Sequence, residues 1–210
     1  MTAWKWLIPG ATVAIAVGCA SYPDQAATRQ TAEKILGQSF TAPSPALLQR
    51  LEQDRSQSIC SKIGDARLTQ EEAAEVVKLA RASIKYPAGK LVGDWKVGEK
   101  LAHDGAGDRI QRGVLEKRKE NGGLCQNCHG LAPGEINVGN IGPVLTGYGL
   151  QRGSSDGIAK LTYERIYNGW AYAPCSNMPR LGATGHLTPE QITHLVAYLI
   201  DPASPINRKP

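Results

Sequence analysis

Residues 123–130 of this 210-residue chain read Gly-Leu-Cys-Gln-Asn-Cys-His-Gly. Cys125, Cys128 and His129 follow the order C-x-x-C-H, the spacing of a c-type haem attachment site. That spacing has a physical reason. Two thiols add to the two vinyl groups on one edge of the porphyrin, and the histidine that follows turns back beneath the ring to bind iron. Two other chemistries use similar residues, a zinc half-site and a thioredoxin-like redox pair. Zinc needs four ligands at compatible spacing, and no second C-x-x-C and no H-x-x-x-H occurs in the chain. With one Phe, 23 Gly and 13 Pro, a core of side chains alone would be thin. One covalently bound haem c would supply the missing apolar volume.

The start of the chain reads as an export signal. Lys5 precedes an apolar run, residues 6–17, broken by Thr12 and by Pro9-Gly10. The run is shorter than the roughly 20 residues a membrane-spanning helix needs. It ends in Ala16-Val17-Gly18-Cys19, which resembles a bacterial lipoprotein box with Cys19 as the lipidated first residue, although the usual Leu three positions earlier is absent. Ordinary cleavage after Ala20 is the competing expectation. Either route places the mature chain in the periplasm, membrane-anchored if Cys19 carries lipid.

Of the five cysteines, Cys125 and Cys128 are assigned to haem and Cys19 to lipid or to the discarded signal. Cys60 and Cys175 remain. Outside the cytoplasm two leftover thiols point to one disulfide, with two unpaired buried cysteines as the alternative. Closing so long a loop is worth about 4–5 kcal/mol in the chain-entropy model.

The expected fold class is all-α. Residues 1–18 form the signal, 19–45 a tether with at most one frayed helical turn, 46–88 a helical extension, 89–203 the main domain and 204–210 a tail. Within the extension, residues 46–60 and 70–84 read as helices, the second opened by a Thr69/Glu72 capping box. Asp94 caps a third helix running to His103, with Val97, Leu101 and Ala102 on one side and Gly98 beside them. A glycine there lets another helix approach closely. The natural partner is the last helix, opened by Thr188-Pro189-Glu190-Gln191 and striped by Ile192, Leu195, Val196 and Leu199. A short helix over 163–168, capped by Thr162, lies between them. Residues 110–119 carry a weak helical pattern spoiled by Gly113. Lys117, Arg118 and Lys119 form either a solvated face or a docking patch for an acidic partner.

His129 is the expected proximal iron ligand. Beyond Met1, the only methionine is Met178. It sits in the polar run Ser176-Asn177-Met178-Pro179-Arg180, where core filling explains it poorly, and His/Met ligation suits an electron-transfer haem. His103, His186 and His194 compete for the sixth position. The Gly142-Pro143 pair is either a plain turn or the source of a carbonyl for the other ring nitrogen of His129.

The order helix, CxxCH, Gly-Pro, helix, Met-Pro, helix resembles the class I cytochrome c fold. Gly93-Asp94-Trp95-Lys96-Val97-Gly98-Glu99, the run Tyr167-Asn168-Gly169-Trp170 leading to Asn177-Met178-Pro179-Arg180, and Leu187-Thr188-Pro189-Glu190 narrow this further. Together they resemble the SoxX family, the small cytochrome subunits of the SoxAX complex of bacterial sulfur oxidation. The resemblance covers roughly residues 60–202. The extension before Cys60 and the lipoprotein box depart from the shorter, freely periplasmic members. It implies a heterodimer with a SoxA-type cytochrome that couples thiosulfate to a cysteine of a SoxYZ-type carrier. This chain would take electrons from that centre and pass them to a soluble cytochrome c, with no complete active site of its own. It favours the carbonyl role for Pro143.

A free-standing cytochrome c serving an oxidase or another dehydrogenase shares every haem feature. A small peroxidase or gas sensor needs an open iron position, which Met178 argues against. Nucleic-acid binding is disfavoured despite the net charge of +5, because the positive charge is scattered and export removes the ligand from reach.

Overall fold

A computed structural model describes residues 24–39, 52–64, 67–111, 114–116, 118–136 and 138–208. The expectations for the signal segment, Cys19, residues 46–51 and Lys117 fall outside them. The chain divides into two units, Met1–Thr41 and Ala42–Pro210.

In the first unit, α1 spans Gln25–Ser39. The tether expected here is thus a helix of four turns. Its residues are good helix formers without an apolar stripe, so propensity rather than periodicity drives it. Arg29 pairs with Glu33 one turn on at 3.3 Å, and the Asp24 side chain accepts from the Ala26 N–H.

Among its described residues the second unit is helical with one small hairpin. Helix α2 spans Arg55–Cys60, shorter than expected, because Asp54 is its N-cap and shares a capping box with Gln57. Helix α3, Gln70–Ser83, opens on the Thr69/Glu72 box and buries Val76 and Ala80. Helix α4 spans Trp95–His103 and opens on Asp94. Leu101 and Ala102 are buried, but Val97, expected beside them, is 39% exposed. The weak helix expected over 110–119 is instead an antiparallel hairpin, β1 Arg109–Gln111 and β2 Val114–Glu116, in register Ile110 to Leu115. An Arg109–Glu116 ion pair of 2.6 Å closes the open end, and Gly113 lies outside the described residues.

Helix α5 spans Tyr148–Arg152. Helix α6 spans Asp156–Tyr167 and is capped by Ser155. Thr162 is therefore a mid-helix residue and not a cap. It is buried, and its hydroxyl donates to the Ile158 carbonyl, satisfying itself within the helix as mid-helix threonines do. Helix α7, Pro189–Ile200, carries the Thr188/Gln191 box and Pro at its first turn. Its stripe of Ile192, Leu195, Val196 and Leu199 is buried as expected, each side chain contributing about 1.5–3 kcal/mol.

Helices α4 and α7 cross at Gly98, where a Cβ would lie 2.0 Å from the His194 carbonyl oxygen. Only glycine permits that approach. The crossing is secured at its entrance, where the Gly93 N–H donates to the Thr193 carbonyl at 3.0 Å. Residues 204–207 are packed rather than a tail. Ile206 is fully buried, and the Asn207 side chain links the Gly149 N–H to the Leu199 carbonyl. The core thus sits between α4, α6 and α7, with Leu131, Leu187 and Ile206 closing it.

Candidate functional site

The pentad is a single 3-10 turn, Cys125–Asn127, entered through Leu124 in the left-handed region at φ 42°. The Cys128 and His129 N–H groups both donate to the Cys125 carbonyl, at 3.1 and 2.9 Å. This turn places the two sulfurs and the imidazole in fixed succession. Cys125 packs against the core, and burial pushes its thiol up to about 11. Reactive C-x-x-C pairs have lowered thiol pKa values, the opposite direction from that of Cys125. Cys125 and Cys128 are both free thiols and are not joined to each other. Among the described residues, no cluster of three or more His, Cys, Asp or Glu side chains is placed to hold a metal ion. The zinc alternative therefore has no closed ligand set there.

His129 lies against Gly142-Pro143. Its Nδ1–H donates to the Pro143 carbonyl at 2.7 Å. A carbonyl can only accept, so the bond fixes the tautomer and leaves Nε2 as the nitrogen able to bind metal. The approach depends on Gly142, where a Cβ would sit 2.2 Å from His129 Cε1. The loop is fastened below the pentad by Gly142 N–H to the Cys128 carbonyl and Leu145 N–H to the Gly130 carbonyl, both 2.8 Å. The same loop exposes Ile136, Ile141 and Val144, at 84%, 69% and 73%.

Met178 follows the 3-10 turn Gly169–Ala171 in a fastened loop. Asn168 caps that turn, and the Trp170 indole N–H donates to the Ser176 carbonyl at 2.8 Å. The Arg180 guanidinium lies 4.5 Å above the Trp170 ring and reaches Asp54 at 2.8 Å. Cys175 is bonded to Cys60, with Cα atoms 5.3 Å apart. The expected disulfide is therefore present. Met178 itself is half-buried against the core, beside Gly169.

The methionine loop and the residues just before the pentad line one cavity of about 570 Å³, with Gly122, Gly123 and Leu124, Met178, Pro179 and Leu181, Trp170 and His186 on its wall, while Cys125, Cys128 and His129 are not among its lining residues. Cofactor and ligand pockets run from about 300 to 1,000 Å³. A second cleft of about 440 Å³ lies beside the hairpin, walled by Arg109, Glu116 and Arg118. It contains none of the candidate haem residues, and of the basic run it holds Arg118.

The competing histidines are engaged elsewhere. His103 Nδ1–H donates to the Glu99 carbonyl, and Nε2 pairs with Glu135 at 2.8 Å. His194 Nδ1 accepts from the Asp94 N–H. His186 Nε2–H donates to the Gly122 carbonyl. It is held rather than solvent-facing, and it alone of the three lines the cavity. The basic run is also partly neutralised, since Arg118 lies 3.7 Å from Asp104.

Sequence reasoning missed Gly142 as a close-approach residue and the contact of Arg180 with Asp54. The first had a signal, a glycine directly before the proline that faces the histidine. The second had none, because the two residues are distant in the chain.

No protein-family model matches the chain. It is similar to an uncharacterized lipoprotein of Aquifex aeolicus (strain VF5), at 45% identity over 158 residues that span 74% of this chain and 73% of that protein. Among the described residues, no helix is long and apolar enough to cross a membrane. At that identity and coverage, the chain belongs to the family of the Aquifex aeolicus lipoprotein.

Proposed function

We propose that this chain is a monohaem c-type cytochrome that carries electrons in the cell envelope. The observation that carries the reading is a CxxCH turn whose His129 ring is fixed by Nδ1–H on the Pro143 carbonyl, with Met178 on the wall of a cavity that the residues just before the turn also line. The residues fit the group on four counts. Two thiols are free, His129 keeps Nε2 available, Met178 offers a thioether on the cavity wall, and the volume suits a cofactor. Cys125 and Cys128 would hold the group covalently, and His129 and Met178 would supply the nitrogen and sulfur ligands to its iron. When bound, the haem supplies a one-electron iron couple, whose potential His/Met ligation raises.

The protein's own part is positioning. Pro143 holds the His129 ring through Nδ1–H. The exposed apolar side chains of Ile136, Ile141 and Val144 give the His129 loop the kind of surface a porphyrin favours. The name of the Aquifex relative, a lipoprotein, supports an envelope location, and the box ending in Cys19 offers a lipid attachment point.

The resemblance to SoxX gives the job. The chain accepts electrons from a SoxA-type subunit as thiosulfate is joined to the cysteine of a SoxYZ-type carrier, and delivers them to a soluble cytochrome c. The test is affinity purification of the tagged full chain from thiosulfate-grown cells. A second cytochrome recovered in equal amount supports the subunit reading. Recovery of the haem-bearing chain alone contradicts it and favours a free-standing carrier.

A further inference from the structure

The methionine loop is tied at both ends to one short helix of the N-terminal extension. At its near end, Cys175 is bonded to Cys60, the last residue of α2. At its far end, Arg180 reaches Asp54, the N-cap of the same helix, at 2.8 Å. Met178 lies between these two ties. The Asp54 carboxylate serves two elements at once. Oδ1 accepts from the Gln57 N–H and caps α2, while Oδ2 takes the Arg180 guanidinium. Arg180 is only 12% exposed and rests on Trp170, whose indole N–H holds the Ser176 carbonyl. A cation this enclosed loses much of its hydration and depends on its counter-charge. Cys175 sits in the left-handed region at φ 60°, an unfavourable conformation for a residue with a Cβ, so surrounding contacts must hold it. Gln57, on α2, lines the same cavity as Met178.

We propose that α2 is a strap that positions Met178, with Asp54 and the Cys60–Cys175 bond as positioning residues for the sixth ligand. This rests on the cytochrome reading above. Without the strap, the 175–180 loop keeps its Trp170 tie, the Ser176 N–H on the Ala173 carbonyl and Thr184 on the Arg180 carbonyl, none of which involves the Met178 backbone, and the thioether spends less time at the cavity. The departure of this chain from shorter cytochromes then has a purpose: the extension holds the ligand loop.

The test uses the haem-loaded full chain and the variants Asp54→Asn and Cys60→Ser/Cys175→Ser. Asparagine is as good an N-cap as aspartate, so D54N keeps α2 and removes only the charge facing Arg180. The readouts are the weak methionine-to-ferric-iron charge-transfer band, the reduction potential, and CO binding to the ferrous protein. Both variants should weaken the band, shift the potential downward and speed CO binding relative to the wild type. Asp54→Glu should restore the band more than Asn does. Variants that melt earlier but keep the band, potential and slow CO binding overturn the strap. Should the double variant fail to mature, D54N alone decides. A wild-type protein that carries no covalent haem instead overturns the cytochrome reading on which the strap depends, and a haem-bearing wild type that lacks the band overturns Met178 ligation and the strap with it.

Discussion

His129 Nδ1 lies 2.7 Å from the Pro143 carbonyl oxygen, and Gly142 is the residue that lets the two meet. The proline holds the acceptor rigidly, so the ring orientation is set before any metal is bound. Replacing Gly142 with alanine places a methyl at 2.2 Å from Cε1 and must displace the ring. G142A should therefore lose the slowly exchanging Nδ1–H signal of His129 by NMR, while P143A keeps it with faster exchange. An unchanged signal in G142A contradicts the assignment.

The helix crossing gives a stability prediction. A Cβ at Gly98 would meet the His194 carbonyl at 2.0 Å, closer than packing can absorb without backbone movement. G98A should cost about 1–3 kcal/mol, the usual range for overpacking, read as a lower urea midpoint. A change within about 0.5 kcal/mol, typical of surface substitutions, would show that α4 and α7 do not cross there.

His103 gives a pH prediction. Burial works against its charge, but the Glu99 carbonyl and the Glu135 carboxylate outweigh it and raise its pKa above 6.5. A raised folded-state value means that the charged pair stabilises the fold fully below about pH 6.5, and that this stabilisation is lost as pH rises through the raised value. Glu135→Gln leaves the Glu99 carbonyl but removes the carboxylate. It should lower the His103 pKa in an NMR titration and shrink the acid-side gain in melting temperature. An E135Q protein with an unaltered His103 titration refutes the pairing.

The raised Cys125 thiol has a kinetic consequence. With its pKa pushed up to about 11 by burial, little thiolate exists at pH 8. In protein prepared without haem attachment, iodoacetamide should label Cys125 more slowly than a free cysteine, for which a pKa of about 8.5 applies. Labelling faster than free cysteine would restore the redox-pair chemistry that burial argues against.

Features with a strong local chemical signal were legible in the sequence. The C-x-x-C-H run, the Thr69 and Thr188 capping boxes, and the 3.6-residue stripe of α7 fall where they were expected. So does the Gly98 crossing. Cysteine arithmetic paired Cys60 with Cys175 because every other thiol already had an assignment. Elements whose cause is not a stripe were missed. Helix α1 is carried by propensity on an exposed surface. Helix α6 begins seven residues before the expected start, at Asp156 rather than Tyr163, because Ser155 is the cap and Thr162, the apparent one, is satisfied within the helix. The hairpin at 109–116 has strands of three residues each, too short for a clear alternation. Partners distant in sequence, such as Arg180 with Asp54 and His103 with Glu135, leave no local trace.

The central claim is that His129 and Met178 together ligate one covalently attached haem. It is tested most directly by the ferric absorption spectrum and reduction potential of the wild type beside Met178→Leu. The wild type should show the methionine-to-iron band, and M178L should lose it together with a lowered potential. If M178L keeps the wild-type spectrum and potential, Met178 is not the ligand, and His186, on the wall of the same cavity, takes its place.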